Sequence, residues 1–321
     1  MSGDAALIGH DEAWREWRAA LGSGRMHHAW ILGGRQGTGK ASFALAAARE
    51  LVAEPGVPQP EAHPDILLLD HLPANDTEEA KRAEGKPYAV KRNITIDQVR
   101  QLQRRLVTRP TLGRRRAVII DPADDMEKGA VNALLKSLEE PPVGTFFLLV
   151  AHRVGRLLPT IRSRCRIVRF PVISDDAIAK VLTREAPEAD AETRAAAIAA
   201  AEGSPGIALA FVAQDLGRAH SLMQRIVAEG DAAFELRGAL AAEIGARPDR
   251  ERLMAVLDLA RATLAAQLAA ATGAVRLALI EAHAALVTLT AQAPTYNYDP
   301  GLLAMEIGGL LASAAMPRET A

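Results

Sequence analysis

The stretch with the clearest chemical potential is GGRQGTGKAS, residues 33–42, which directly follows the apolar run AWIL. Glycines let backbone N–H groups point inward at a phosphate, and a lysine at this spacing reaches the outer phosphates of a nucleotide. The apolar run before it and the helix-like stretch after it favour a phosphate loop over a glycine-rich turn that opens a helix. The candidate nucleotide contacts are Gly34, Gly37, Thr38, Gly39 and Lys40.

Two further positions decide whether such a loop hydrolyses ATP. A complete loop has a Mg²⁺-ligating hydroxyl after its lysine, but this chain has Ala41. Ser42 is rotated by about 100° around the helix, which turns it away from the metal. Asp121 ends the apolar run AVII as a Mg²⁺-binding aspartate would, although DPADD is also good turn chemistry. Pro122 occupies the place of the glutamate that polarises water in hydrolytic sites, so we expect no ATPase activity; weak binding of ATP or ADP stays open.

The first half of the chain alternates apolar runs with helix-like stretches. Such short, fully apolar runs are typical of strands that are buried on both faces of a parallel sheet. This pattern predicts an α/β, doubly wound P-loop domain over residues 1–172. The runs lie at 29–32, 65–69, 117–120, 146–150 and 167–170, and the helix-like stretches at 40–53, 96–108 and 127–140.

Two other regions have a different character. Residues 71–93 are polar, charged and broken by proline, which predicts a long mobile loop. After residue 172 the strand pattern stops. We expect a small helical domain over 173–212, broken at GSPG (203–206), and an all-helical domain over 213–321 in which Leu257, Leu264 and Leu268 lie at helical spacing.

Composition sets the broad class of the protein. The chain has 321 residues, of which 49% are hydrophobic, and a formal net charge of −1, so no global attraction to nucleic acid or membrane is expected. Cys165 is the only cysteine, which excludes an internal disulfide and a zinc site built from cysteines. The N-terminal MSGDAALIGHDE lacks the layout of a signal peptide, and no apolar run reaches about 18 residues. We therefore expect a cytoplasmic protein without a membrane segment.

Four motifs together resemble the clamp-loader branch of the AAA+ ATPases, in particular the subunits of bacterial DNA polymerase III. They are HHAWILGGRQGTGK (27–40), HPDILLL (63–69), NALLKSLEEPP (132–142) and TIRSRC (160–165). The resemblance covers about residues 5–212. It implies an AAA+ domain, a helical lid and, beyond it, a helical collar domain through which subunits assemble.

The resemblance assigns roles to individual residues. It implies that Arg164 of SRC reaches across a subunit boundary to ATP bound by a neighbour, as an arginine finger; the alternative is an ordinary surface arginine near a strand. Gly34 to Lys40 match the phosphate loop, and Asp121 matches the metal-binding aspartate, here in a degenerate nucleotide site. The implied partners are the motor gamma/tau subunits, the delta subunit, the sliding clamp and primed DNA.

The chain departs from the family pattern in its zinc module and at positions that would handle its own nucleotide, namely Ala41, Pro122 and the two sensors. Residues 53–63, AEPGVPQPEAH, contain no cysteine, so the family's four-cysteine zinc module is missing and we expect neither zinc nor a required cofactor. The two nucleotide sensors would fall at AHR (151–153) and GSPGIAL (203–209), which depart from the pattern. The expected function is therefore a largely non-catalytic clamp-loader subunit. The rival is an ATP-hydrolysing motor subunit that uses Ser42 and another carboxylate, Asp124.

A basic run extends from Lys91 to Arg116, with Asp97 as its only acidic residue. Arg100 and Arg104 are four apart and share a helix face. The run is either a solvated helix face or a local contact to DNA phosphates, and the sequence favours neither.

Overall fold

The computed structural model describes residues 8–315 except 87, 247, 269 and 294–297. Most of the N-terminal segment that was tested for a signal peptide, residues 1–7, lies outside the described residues. The chain divides into two compact units, Met1–Val172 and Ile173–Ala321.

The first unit is built on a five-stranded sheet in which every neighbouring pair is parallel. The strand order is β2-β3-β4-β1-β5. All five strands predicted from the apolar runs are confirmed. Their bounds are β1 Ala29–Gly34, β2 Ile66–Leu69, β3 Arg116–Ile120, β4 Thr145–Ala151 and β5 Arg166–Phe170.

Helices cover both faces of this sheet, as its apolar strands require. Trp30 and Leu32 of β1 pack with Trp17 and Phe43 on one face, whereas Ile31 packs with the opposite core. The α/β class is confirmed, as are the three helix-like stretches, which form α2, α4 and α5. The helices are α1 Asp11–Gly22, α2 Lys40–Val52, α3 Asp76–Ala83, α4 Ile96–Leu106, α5 Lys128–Glu139 and the single turn α6 Pro159–Arg162.

The segment 71–93, predicted as a long mobile loop, is not a loop throughout, because it contains α3. The side chain of Asn75 caps the helix by accepting a hydrogen bond from the Glu78 backbone N–H. The Glu78 carboxylate in turn accepts from the Ala89 N–H at 2.6 Å, and Pro73 and Val90 form an antiparallel bridge. The polar composition indicated disorder, but these local hydrogen bonds give the segment secondary structure.

The second unit is entirely helical in its described residues, and one hydrophobic cluster runs from Ile173 to Ala314. Leu257 and Leu264 are fully buried in it. Residues of the predicted second and third domains share this cluster, and the boundary at 212 stays a prediction. The helices are α7 Asp175–Glu185, α8 Ala191–Ala201, α9 Pro205–Ala213, α10 Gly217–Glu229, α11 Glu235–Ile244, α12 Arg250–Leu268, α13 Gly273–Gln292 and α14 Pro300–Ser313.

Helix α13 corrects the expectation about apolar length. It has 20 residues and a mean hydropathy of 1.5, which by length and composition alone is enough to cross a membrane. Arg276 and Glu281 interrupt the run, yet the mean stays high because Ala, Leu and Val fill the other positions. Leu279, Ala282 and Leu286 are buried in the core of the helical unit, but only 17% of the apolar stretch is buried and Leu277 and Ile280 are exposed.

Candidate nucleotide loop and arginine-finger site

The predicted phosphate loop joins β1 to α2, and its glycines are required for two different physical reasons. Gly37 and Gly39 adopt φ values of +75° and +87°, in the left-handed region that only glycine enters freely. Gly34 instead lies close to the neighbouring strand, and a Cβ there would lie 2.2 Å from the carbonyl oxygen of Phe170. Packing against β5 therefore dictates Gly34, whereas backbone conformation dictates the other two.

Lys40 is buried, with its side chain turned back onto the loop. Its Nζ donates hydrogen bonds to the carbonyl oxygens of Gly34, at 2.7 Å, and Arg35, at 2.5 Å. Burial lowers the pKa of Lys40 from 10.5 to about 8, and the negative charges of Asp121 and Asp124 oppose this shift. The lysine thus satisfies the carbonyls of its own loop.

Thr38 and His10 also stabilise the loop through hydrogen bonds. The Thr38 hydroxyl donates to the carbonyl oxygen of Arg35 at 2.8 Å, and Thr38 is fully buried. His10 Nε2 lies 2.7 Å from the Thr38 carbonyl oxygen, and its ring packs against Phe170 with centroids 4.8 Å apart. Burial lowers the pKa of His10, which favours a neutral ring that donates to this carbonyl. Nothing in the sequence pattern indicated His10, since it lies 28 residues before its partner.

Asp121 directly follows β3, on the side of the sheet where the phosphate loop lies. Burial raises the pKa of Asp121, although the positive charge of Lys40 acts to lower it. Asp124, the carboxylate of the rival motor hypothesis, has both oxygens occupied. They accept hydrogen bonds from the backbone N–H groups of His152 and Arg153, at 2.9 and 3.0 Å. Asp124 therefore anchors the segment after β4, which leaves it poorly placed as a general base.

The first turn of α2 bears on the missing metal ligand. Ala41 and Ser42 are both exposed, whereas Lys40 is buried. Two residues along a helix is a rotation of about 200°, so Ser42 projects from the side opposite to Lys40. At the predicted sensor position, burial lowers the pKa of His152, and the nearby charge of Lys40 adds to this effect. A neutral imidazole therefore stands there.

The three residues of SRC have different environments. Cys165 packs partly against the core, and burial raises the pKa of its thiol to about 12, which excludes a reactive thiolate near neutral pH. Ser163 donates to the Thr160 carbonyl oxygen at 3.1 Å. The Arg164 side chain is 35% exposed. Ser163 is exposed as well, so Arg164 is the member of this motif that presents a charge to solvent.

Arg164 is held by contacts within its own chain. Its Nη1 donates to the carbonyl oxygen of Thr160 at 3.0 Å, and its Nη2 lies 2.7 Å from Oε1 of Glu139. Glu139 is the last residue of α5 and belongs to the LEEPP motif. The LEEPP motif indicated the family, but no pattern in the sequence predicted this ion pair.

The predicted site residues fall into two separate groups. Strands β1 and β5 are parallel neighbours, with Trp30 opposite Arg166 and Gly34 opposite Phe170. The phosphate loop follows Gly34 at the carboxyl ends of the strands, whereas Arg164 precedes Arg166 at their amino ends. From Arg166 to Phe170 there are four steps along β5, so the two ends of the strand lie about 13 Å apart at roughly 3.3 Å per residue. The structure thus brings the loop and Asp121 together and sets Arg164 apart.

The basic run is mostly a surface feature, with one exception. Lys91, Arg92, Arg100, Arg104, Arg105, Arg109 and Arg114 are exposed. Arg116 is buried and donates to the carbonyl oxygens of Arg105, Thr108 and Arg109, close to the loop that ends α4. Its charge faces the buried carboxylate of Asp65 at 3.7 Å. Arg116 is therefore a structural residue, and the two alternatives for the run concern the others.

Within the part of the chain that the structure describes, no three His, Cys, Asp or Glu side chains are grouped to hold a metal ion. The expectation that the protein contains no zinc stays a prediction.

Residues 9–174 match the family described as DNA polymerase III, delta subunit. The chain belongs to this family. The match begins just before α1 and ends just after β5, so it spans both the phosphate loop and Arg164. The family predicted from the four motifs is confirmed.

Named relatives agree with this assignment. The chain is 33% identical over 206 residues to DNA polymerase III subunit delta′ of Pseudomonas aeruginosa, covering 59% of this chain and 57% of that protein. It is 30% identical over 214 residues to the delta′ subunit of Escherichia coli, covering 65% and 62%. It is also 29% identical over 223 residues to DNA polymerase III subunit gamma/tau of Mycobacterium tuberculosis, covering 67% and 37%. The chain thus spans less than two thirds of the length of these relatives.

Proposed function

We propose that this protein is a non-hydrolysing, delta′-type subunit of the bacterial DNA polymerase III clamp loader. In this role it donates Arg164 to ATP bound by a neighbouring motor subunit. The assembly uses that ATP to open a sliding clamp and load it onto primed DNA. The proposal rests on the family, on the phosphate loop at the carboxyl ends of the strands and on Arg164 at their amino ends.

The separation of Arg164 from the chain's own phosphate loop carries this proposal. The two lie at opposite edges of the sheet, so Arg164 is poorly placed to act on a nucleotide in the same chain. Strand β5 is also an edge strand, which leaves the segment before it without a further strand beside it. A partly exposed guanidinium at this corner is suited to a phosphate on another subunit, since its fork matches phosphate oxygens.

The chain's own loop supports a role without hydrolysis. Ala41 offers no metal ligand, Pro122 offers no base, and both oxygens of Asp124 are engaged by backbone N–H groups. The backbone cradle is still present, so weak binding of ATP or ADP is compatible with the proposal. No cofactor and no zinc are required for the proposed role.

The proposed partners are the motor gamma/tau subunits, the delta subunit, the sliding clamp and primed DNA, in the cytoplasm. Arg164 would lower the barrier at one motor site by meeting the charge that develops on the transferring γ-phosphoryl group. The motor subunit would supply the Mg²⁺ ligands and orient the water. This division of labour explains why the chain keeps a finger although its own site lacks the groups for hydrolysis.

The test uses clamp loaders rebuilt from the partner subunits of the same organism with wild-type or Arg164→Ala chain. We expect equal assembly by gel filtration and slower clamp- and DNA-dependent ATP hydrolysis with the variant. Arginine fingers contribute roughly 10³–10⁵ to the rate at one site. The whole complex loses less, because its other sites have their own fingers.

Arg162→Ala is the matched control, since it removes the same charge two residues away. We expect hydrolysis and clamp loading to be unchanged in this variant. Equal rates for wild type and Arg164→Ala would refute the trans-acting role. Equal losses of hydrolysis in the Arg164→Ala and Arg162→Ala variants would mean that positive charge in general matters, and not Arg164 in particular.

A further inference from the structure

Glu139 and Arg164 come from two segments that each lead into a strand of the sheet. Glu139 ends α5, ahead of β4, and Arg164 follows α6, ahead of β5. Their side chains meet at 2.7 Å between Oε1 and Nη2. The Thr160 carbonyl oxygen accepts from Nη1 at 3.0 Å. The guanidinium is thus held at two of its nitrogen atoms.

Helix stability does not explain a carboxylate at the end of α5. The carboxyl end of a helix carries partial negative charge, so acidic side chains there are unfavourable. The sequence nevertheless has Glu139 and Glu140 at this end. Arg164 compensates the first of them, whereas no ion pair to Glu140 is found among the described residues. Local rules are commonly broken at functional sites, and this pair is such a break.

The contacts leave part of the guanidinium available. An arginine offers five N–H donors, and the recorded contacts of Arg164 use only Nη1 and Nη2. Within the described residues, its Nε makes no hydrogen bond to protein. The Arg164 and Glu139 side chains are 35% and 50% exposed, so the contact between them is open to solvent and not buried. A phosphate can therefore approach without first breaking a strong buried contact.

We infer that Glu139 is a positioning residue, which holds the Arg164 guanidinium in place for a phosphate of the neighbouring subunit. This inference rests on the proposed function of Arg164. An unrestrained arginine loses rotamer freedom when it is fixed at a phosphate. A carboxylate that restrains it beforehand removes part of that loss and sets the direction of the free N–H groups. Glu139 itself touches no nucleotide.

The experiment compares rebuilt clamp loaders containing wild-type, Glu139→Ala, Glu139→Gln or Arg164→Ala chain. The Arg164-dependent rate is the wild-type ATPase rate minus the rate with Arg164→Ala. We expect Glu139→Ala to lower this rate roughly three- to tenfold, below the 10²-fold loss that misplacing a catalytic group by 1 Å causes. Glu139→Gln keeps an acceptor oxygen without the charge, so its loss is smaller.

Three readouts separate positioning from a structural role. First, kcat falls while KM for ATP is unchanged, because Glu139 contacts no nucleotide. Second, Glu139→Ala has no additional effect in the Arg164→Ala background, since its action passes through Arg164. Third, Glu140→Gln, which changes the adjacent residue, leaves the rate at the wild-type level. Gel filtration and circular dichroism establish that each variant folds and assembles.

The outcomes distinguish this inference from the proposed function. A wild-type rate with Glu139→Ala, when Arg164→Ala slows hydrolysis, overturns the positioning role alone. A faster rate with Glu139→Ala also overturns it, because the carboxylate would then be a brake. A loss that persists in the Arg164→Ala background overturns it as well. If Arg164→Ala itself has no effect, the proposed function fails and the inference fails with it.

Discussion

The two edges of the sheet show opposite relations between motif and chemistry. At the carboxyl ends, the phosphate loop matches its motif well, yet Lys40 and Thr38 hydrogen-bond to carbonyls of the loop itself. At the amino ends, SRC is a short motif, yet Arg164 is partly exposed and has N–H groups free for another molecule. The first region has the backbone shape of a phosphate loop, with Ala41 and Pro122 where a hydroxyl and a carboxylate would stand. The second has the guanidinium that we propose acts on a neighbour's nucleotide.

Residues of a motif can also serve packing. Gly34 is required by the close approach of Phe170, and Thr38 links the loop to His10. These contacts stabilise the loop independently of any bound nucleotide. A motif match therefore indicates a fold, while exposure and partners indicate which residues act.

The largest expected effect is on ATP hydrolysis by complexes that carry a variant at Arg164. Arg164→Lys keeps the positive charge but lacks the planar fork, so it should restore little of the hydrolysis that Arg164→Ala loses in the rebuilt complex. The measurement is the clamp- and DNA-dependent ATPase rate of the three complexes. A near-wild-type rate with lysine would mean that a point charge suffices.

Gly34→Ala tests whether packing maintains the phosphate loop. The added Cβ would lie 2.2 Å from the Phe170 carbonyl oxygen, so the strands must shift. Overpacking of this kind lowers the free energy of unfolding by about 1–3 kcal/mol. Gly155→Ala is the control, because a Cβ there meets nothing within 4 Å. Urea unfolding of both variants is the measurement, and equal midpoints would contradict the packing role.

Lys40 makes stability depend on pH in a definite direction. Its pKa is about 8 in the fold against 10.5 unperturbed, so between these values the unfolded chain binds more protons. The free energy of unfolding therefore rises with pH over this window, relative to a variant without the lysine. Urea unfolding of wild type and Lys40→Met at pH 7.5 and pH 9.5 checks this. The prediction is contradicted if the wild-type free energy of unfolding, relative to that of Lys40→Met, stays constant or falls at the higher pH.

The smallest expected effect is that of Mg²⁺ on nucleotide binding. Because Ala41 provides no metal ligand, calorimetry should give similar, weak ATP affinity with and without Mg²⁺. The isolated chain should also release phosphate at the background rate, and Lys40→Ala should not change that rate. Strong tightening by Mg²⁺, or turnover of about 1 s⁻¹ that Lys40→Ala abolishes, would favour the motor alternative.

Much of the first unit was predictable because its signals are local. Apolar runs of strand length specified all five strands, and Pro141 and Pro142 ended α5. The segment 71–93 was mispredicted, since its order depends on a cap at Asn75 and a carboxylate contact to Ala89 that polar composition does not reveal. The helical character of α13 was predicted, but its high mean hydropathy was missed because Arg276 and Glu281 interrupt the apolar run.

Residue identity and spacing were enough to predict the family and the parallel-sheet class, and to show that Ala41 has no hydroxyl and Pro122 no carboxylate. Which residues meet depends on the tertiary structure. It buried Arg116 beneath the end of α4, engaged both oxygens of Asp124, and paired Glu139 with Arg164. It also set Arg164 at the edge opposite the phosphate loop, because parallel pairing of β1 with β5 fixes which ends of the strands lie together. Contacts between segments far apart in the chain follow from such pairing, and no local pattern encodes them.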